Sequence, residues 1–200
     1  YKQHQAFHLE DGSVKQLPLV FADTRGFSDS KKHGAPVAVI KACIMGKVVN
    51  GQTIDPNTTE KEWSTWKQKK SKASHIVFVA DATTIPDKIP CDREIITVYK
   101  NLREIRAFSI SEDIPVAAFL TKCDMLDTSV ENDLSRLYVS EKVKCKVKMF
   151  SSMIDIAENR VFPVVNYTRH NNASNGMMIQ TLLALKECMI DIMAGFYSRR

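Results

Sequence analysis

The chemistry-bearing residues of this chain stand in two short stretches. In the first, Leu17-Pro-Leu-Val-Phe-Ala-Asp-Thr-Arg-Gly-Phe27, an apolar run leads into Asp23, and Gly26 follows three positions later. An aspartate that ends a buried strand sits at the carboxyl edge of its sheet, where open α/β folds bind ligands. A carboxylate there can serve magnesium, often through a water, and a glycine lets the backbone approach a terminal phosphate with no Cβ in the way. Asp23 and Gly26 are therefore candidate phosphate- and magnesium-associated residues, with Asp23 as the metal ligand. The same four residues also fit a plain strand followed by an Asp/Gly turn. In the second stretch, Ile114-Pro-Val-Ala-Ala-Phe-Leu120 runs into Thr121-Lys-Cys-Asp124. Guanine presents its ring N–H and its exocyclic amine side by side, and adenine offers no such pair at that edge. Asp124 would accept from both, an arrangement worth about 1–3 kcal/mol of discrimination by analogy with base readout. The stem of Lys122 would lie across the purine face, and the Thr121 hydroxyl would tie the loop to its neighbours.

Such residues need strands to carry them. Glu10-Asp-Gly-Ser13 is a hairpin signal, so the chain is expected to open with an antiparallel pair whose second strand ends at Asp23. Ile76-Val-Phe-Val-Ala-Asp81, Ile114–Leu120 and Phe162-Pro-Val-Val-Asn166 read as further buried strands. Between them, Arg93 to Phe108 repeats its apolar residues at helical spacing. Asp127 to Phe150 is ambiguous. Val143, Cys145, Val147 and Met149 alternate as in a strand, while Val143, Val147, Phe150 and Ile154 fit a helix. A helix from Ser140 to about Asn159 is expected, because parallel strands need a crossover. A last helix is expected to pack Met178, Leu182, Leu185, Met189, Ile192 and Phe196 on the sheet, its methionines filling the core. A short helix from Pro36 to Met45, stopped by Gly46, interrupts an otherwise irregular 27–74 segment. The expected fold class is α/β, a mostly parallel sheet with flanking helices.

Composition narrows the classes. The 200 residues are 44% hydrophobic and 26% charged, enough for one domain with a substantial core. The formal charge of +5 does not demand a nucleic-acid partner. Trp63, Trp66 and the lysines of 67–72 would suit single-stranded nucleic acid by charge and stacking, but a solvated face explains them better. The five cysteines, odd in number and without C-x-x-C spacing, suit a reducing compartment and give no zinc site. No apolar run approaches the length of a membrane span. Three sequons, at Asn57, Asn166 and Asn172, read as chance matches without a secretory signal.

Thr121-Lys-Cys-Asp124 matches the [Asn/Thr]-Lys-x-Asp pattern of GTP-binding proteins, and Val164-Val-Asn-Tyr-Thr168 occupies the place where such proteins cap the guanine oxygen, making Asn166 a candidate. Together with the Glu10–Ser13 turn, Asp23–Phe27, the segment from Ile40 through Gly46 to Asp55-Pro56, and Ile76 to Ala82, this arrangement closely resembles the interferon-induced protein 44 family over nearly the whole chain. The resemblance implies a P-loop GTPase-like G domain, here missing its first strand, phosphate loop and first helix. It further implies GTP or GDP with magnesium as ligands, a cytoplasmic location and a part in interferon-induced antiviral defence. The domain would comprise the hairpin of 1–26, a switch-like segment over 27–74 and a guanine-reading half over 75–200.

The departures are equally specific. G-x-x-x-x-G-K-[S/T] is absent, and the seven glycines are dispersed. The chain thus reads as a fragment that binds nucleotide weakly or not at all alone, or else as a natural pseudo-GTPase serving as an interaction module, with 28–74 as the surface for a protein partner. Ras-type proteins follow the glycine of Asp-x-x-Gly with a glutamine that orients water; Phe27 has no hydrogen-bonding group, so hydrolysis is expected to be slow at most.

Overall fold

The computed structural model describes residues 2–10, 13–24, 26, 36–49, 51–52, 55, 57–68, 70–165 and 175–197. It divides into two compact units, Tyr1–Ala73 and Ser74–Arg200, meeting in sequence where the expected middle segment ends.

In the first unit, strands β1 (Lys2–Glu10) and β2 (Ser13–Asp23) form the expected antiparallel hairpin, with Lys2 opposite Asp23 and Glu10 opposite Ser13. The register slips between the Gln5–Val20 and Phe7–Gln16 pairs. Pro18 lies within the slip, and a proline has no N–H to give the ladder. Gln5 Nε2 spans the gap, donating to the Leu19 carbonyl at 3.0 Å. Helix α1 (Val37–Ile44) follows Pro36, whose carbonyl accepts from Val39 and Ile40, so the proline caps the helix rather than starting it. Gly46 ends the turn at φ +67°, and a Cβ there would collide with the carbonyl oxygens of Lys70 and Ser71. Helix α2 (Glu60–Ser64) lies in the segment expected to be irregular. Its start is a capping box in which Thr59 accepts from the Glu62 amide and Glu62 accepts from Thr59 N–H. Lys41 of α1 pairs with Glu60 of α2 at 3.1 Å. Trp63 is buried, and Lys47 lies 4.9 Å above its ring while donating to the Trp63 and Ser64 carbonyls. A tryptophan so enclosed offers no face for stacking on a base, which removes half of the aromatic pair considered for nucleic acid.

The second unit is α/β in the expected sense. Strands β3 (Ile76–Asp81), β4 (Val116–Thr121) and β5 (Val161–Pro163) form a parallel sheet in that order. Helix α3 (Arg93–Ser111) leads from β3 to β4, and α5 (Glu141–Ile154) leads from β4 to β5, preceded by a short α4 (Thr128–Asn132). The ambiguous segment is thus helical. It stops at Ile154, earlier than expected, because Asp155 takes a left-handed conformation at φ 58°. Tyr99 of α3 and Phe150 of α5 meet edge to face, with ring centroids 6.2 Å apart, and Arg103 Nε donates to the Met153 carbonyl at 2.6 Å. Phe119 and Phe162, register partners across β4 and β5, make a second such contact at 6.0 Å.

Two packing expectations need correction. β3 buries only Phe78 and leaves Val77 and Val79 exposed, Val79 at 69%. Among the described residues it is the edge strand of its sheet, and a continuous apolar run does not reveal which of its side chains stay exposed. Helix α6 (Asn175–Tyr197) exposes Met178, Leu182 and Met189 of the expected stripe, Leu182 at 62%. It instead buries Gln180, Ala184 and Cys188, spaced by fours. The side chain of Phe196 lies outside the described residues. The helix is apolar around most of its circumference, so periodicity alone selects no face. Small Ala184 and Cys188 allow close approach, and Gln180 Nε2 donates to the Leu134 carbonyl at 3.1 Å. Asp191 completes the anchorage, accepting from Arg160 Nη1 at 2.7 Å and pairing with buried His75 Nε2 at 3.2 Å. Burial pushes the His75 imidazole pKa down, against the opposing pull of Asp191. Among the described residues, no helix is long and apolar enough to cross a membrane.

Candidate functional site

The carboxyl edge of the parallel sheet gathers the second motif. β4 ends at Thr121, in register with Asp81 at the end of β3. The Thr121 hydroxyl donates to the Ala80 carbonyl at 3.2 Å, tying the two strand ends together as expected. Lys122 then turns the chain with φ 60° and ψ 31°, a left-handed conformation that costs a non-glycine residue about 1–2 kcal/mol. What holds it there is the hydrogen bonding on either side. Cys123 N–H donates to the Val164 carbonyl at 3.4 Å, Val164 N–H donates to the Leu120 carbonyl at 2.8 Å, and Cys123 Sγ donates to the same Leu120 carbonyl at 3.1 Å. Burial pushes the Cys123 thiol up to about 12, so it is a neutral packing group and not a nucleophile.

This turn presents Lys122 and Asp124 from a fixed base. Lys122 Nζ reaches back 2.5 Å to Asp81 Oδ2. Asp81 Oδ1 is already engaged, accepting from the Thr83 amide at 2.9 Å and the Thr83 hydroxyl at 2.6 Å. Desolvation raises the Asp81 pKa, but the bonds from Lys122 and Thr83 outweigh it and hold the carboxyl below its ordinary value. Asp124 carries an unsatisfied atom here, as His75 (Nδ1), Arg106 (Nε) and Gln180 (Oε1) do elsewhere among the described residues. The Asp124 Oδ1 is buried and has no hydrogen-bond partner among the described residues. A buried acceptor without a donor is costly, and in a native protein it calls for an explanation such as a ligand. Downstream, Asp127 accepts from Ser129 N–H at 3.0 Å and from Ser140 Oγ at 2.7 Å, so the loop is also fastened to the start of α5.

Comparison of the chain with protein-family models, curated proteins and solved structures finds no match. The site therefore rests on its own residues.

Thr121, Lys122 and Asp124 are brought together as their spacing requires, and Val164 joins them through its backbone. Asn166 lies outside the described residues, as do Arg25 and Phe27. Asp23 and Gly26 belong to the first unit and Thr121–Asp124 to the second. Asp23 is the last residue of β2 and is exposed; Gly26 is exposed, with open space where a Cβ would stand. Among the described residues no three His, Cys, Asp or Glu side chains converge as a metal cluster.

Sequence reasoning overlooked Asp81. The signal was present, since β3 and β4 are both apolar runs closing on a polar residue. Their parallel pairing places those two ends side by side.

Proposed function

We propose that the chain is a guanine-nucleotide-binding domain of the switch-protein type, in an interferon-induced antiviral protein of the family it resembles. Asp124 accepts the paired donors of guanine, Lys122 underlies the purine, and Thr121 braces the loop. The family resemblance alone assigns magnesium and phosphate to Asp23 and Gly26 and the base to Asn166. The observation that carries this reading is the buried, unpartnered Asp124 Oδ1 at the carboxyl edge of a parallel sheet. A base bringing two adjacent donors supplies what that atom lacks. The phosphate grip is the weak part, because the sequence holds no Gly-rich phosphate loop. Base recognition is therefore best tested with a monophosphate. In NMR titrations at millimolar nucleotide, GMP is expected to shift the Thr121–Asp124 amides and AMP to leave them nearly unmoved. Asp124→Ala should abolish the difference. Equal responses to the two nucleotides, or an unaltered preference in the variant, would sink the guanine assignment.

A non-enzymatic interaction module on the same scaffold is the second reading. What favours it is apolar surface: Ile179, Leu182, Leu183, Ile190 and Met193 of α6 are all exposed. Under this reading neither nucleotide perturbs the loop.

A further inference from the structure

We propose that Asp81 is a positioning residue for the base site: it holds the Lys122 ammonium so that the lysine stem is laid out as a purine platform before any nucleotide arrives. This inference rests on the guanine-binding reading and adds to it a residue from a different strand. The geometry divides the Asp81 carboxylate into two tasks. Oδ1 caps the turn after β3 through Thr83 N–H and the Thr83 hydroxyl. Oδ2 is left for Lys122 Nζ, at 2.5 Å. The carboxylate is therefore fixed by its own turn before it engages the lysine, and it cannot swing to follow a mobile ammonium. Lys122 is fixed at its other end by a left-handed backbone locked between Thr121 and Cys123. A four-carbon stem pinned at both ends has few rotamers left. The loss of freedom that binding would otherwise impose on a half-exposed lysine is thus met on folding.

The proposal separates two kinds of recognition. Asp124 distinguishes the substituents of the base, whereas an aliphatic stem against the ring face is blind to them. Asp81→Asn keeps an oxygen for the Thr83 cap but removes the charge that holds the ammonium. It should weaken GMP and IMP by the same factor, about threefold to fivefold, leaving their ratio unchanged. Thr83→Val removes the hydroxyl bond to Oδ1 but keeps the N–H bond, so it should weaken GMP and IMP by the same factor and by less than Asp81→Asn does. Lys122→Met keeps much of the stem and lacks the ammonium; in that background Asp81→Asn should have no further effect. Without nucleotide, Asp81→Asn should also sharpen and shift the Lys122 side-chain methylene resonances toward those of a mobile lysine. Absence of GMP binding to the wild-type chain would overturn this proposal together with the guanine reading. GMP binding that Asp81→Asn leaves intact, or an equal Asp81→Asn loss in the Lys122→Met background, would overturn the role of Asp81 alone.

Discussion

Asp127 accepts from Ser140 Oγ and from Ser129 N–H, and these bonds, the Ser140 one foremost, lower its carboxyl to about 2. A carboxyl lower in the folded chain than in the unfolded one binds protons more readily when unfolded. Its contribution to stability is complete above the ordinary value of 3.8 and is lost as the pH falls through about 2. The melting temperature of Asp127→Asn should therefore lie below wild type at neutral pH, with the gap closing on acidification; a constant gap would refute the role. At this scale the sequence is readable where partners are neighbours in the chain. Thr121, Lys122 and Asp124 form one turn, and their spacing sufficed to name them. The Lys122–Asp81 bond joins residues 41 positions apart, and the Asp127–Ser140 bond joins residues 13 apart. Only the folded register shows such pairs.

Among the elements, α3 and α5 carry the packing that supports the site from below. Phe150 is 1% exposed and meets Tyr99 across the helix interface. Phe150→Ala should cost about 3–5 kcal/mol of stability, through lost burial and the cavity left behind, measured by urea unfolding with an unchanged m-value. A loss below 1 kcal/mol would mean that the two helices do not share a core there. Element type was legible because the crossover logic of parallel strands resolved the Val143–Met149 ambiguity in favour of a helix. Element facing was less so. In α6, apolar residues surround the helix, and what selected its buried side was the small size of Ala184 and Cys188 with the bonds of Gln180 and Asp191. These are properties of the neighbour as much as of the helix. In β3, Val77 and Val79 stand exposed within a continuously apolar run, because which face of a strand is covered depends on other elements and not on its own pattern.

At the scale of the whole molecule, a hairpin unit and a three-stranded parallel α/β unit each carry one of the two motifs read from the sequence. The second unit is the more informative, because its motif has acquired geometry: a braced threonine, a tethered lysine and a carboxylate with one buried oxygen unsatisfied. The central claim is that this carboxylate reads guanine, and a base whose donors are changed tests it most directly. Xanthine carries a carbonyl where guanine carries its exocyclic amine. Asparagine at position 124 would offer that carbonyl an N–H while still accepting from the ring N–H. Titrating the wild-type chain and Asp124→Asn with GMP and with xanthosine monophosphate should therefore exchange the order of affinity, GMP first for wild type and xanthosine monophosphate first for the variant. The same order in both proteins, or no discrimination by either, would contradict the account.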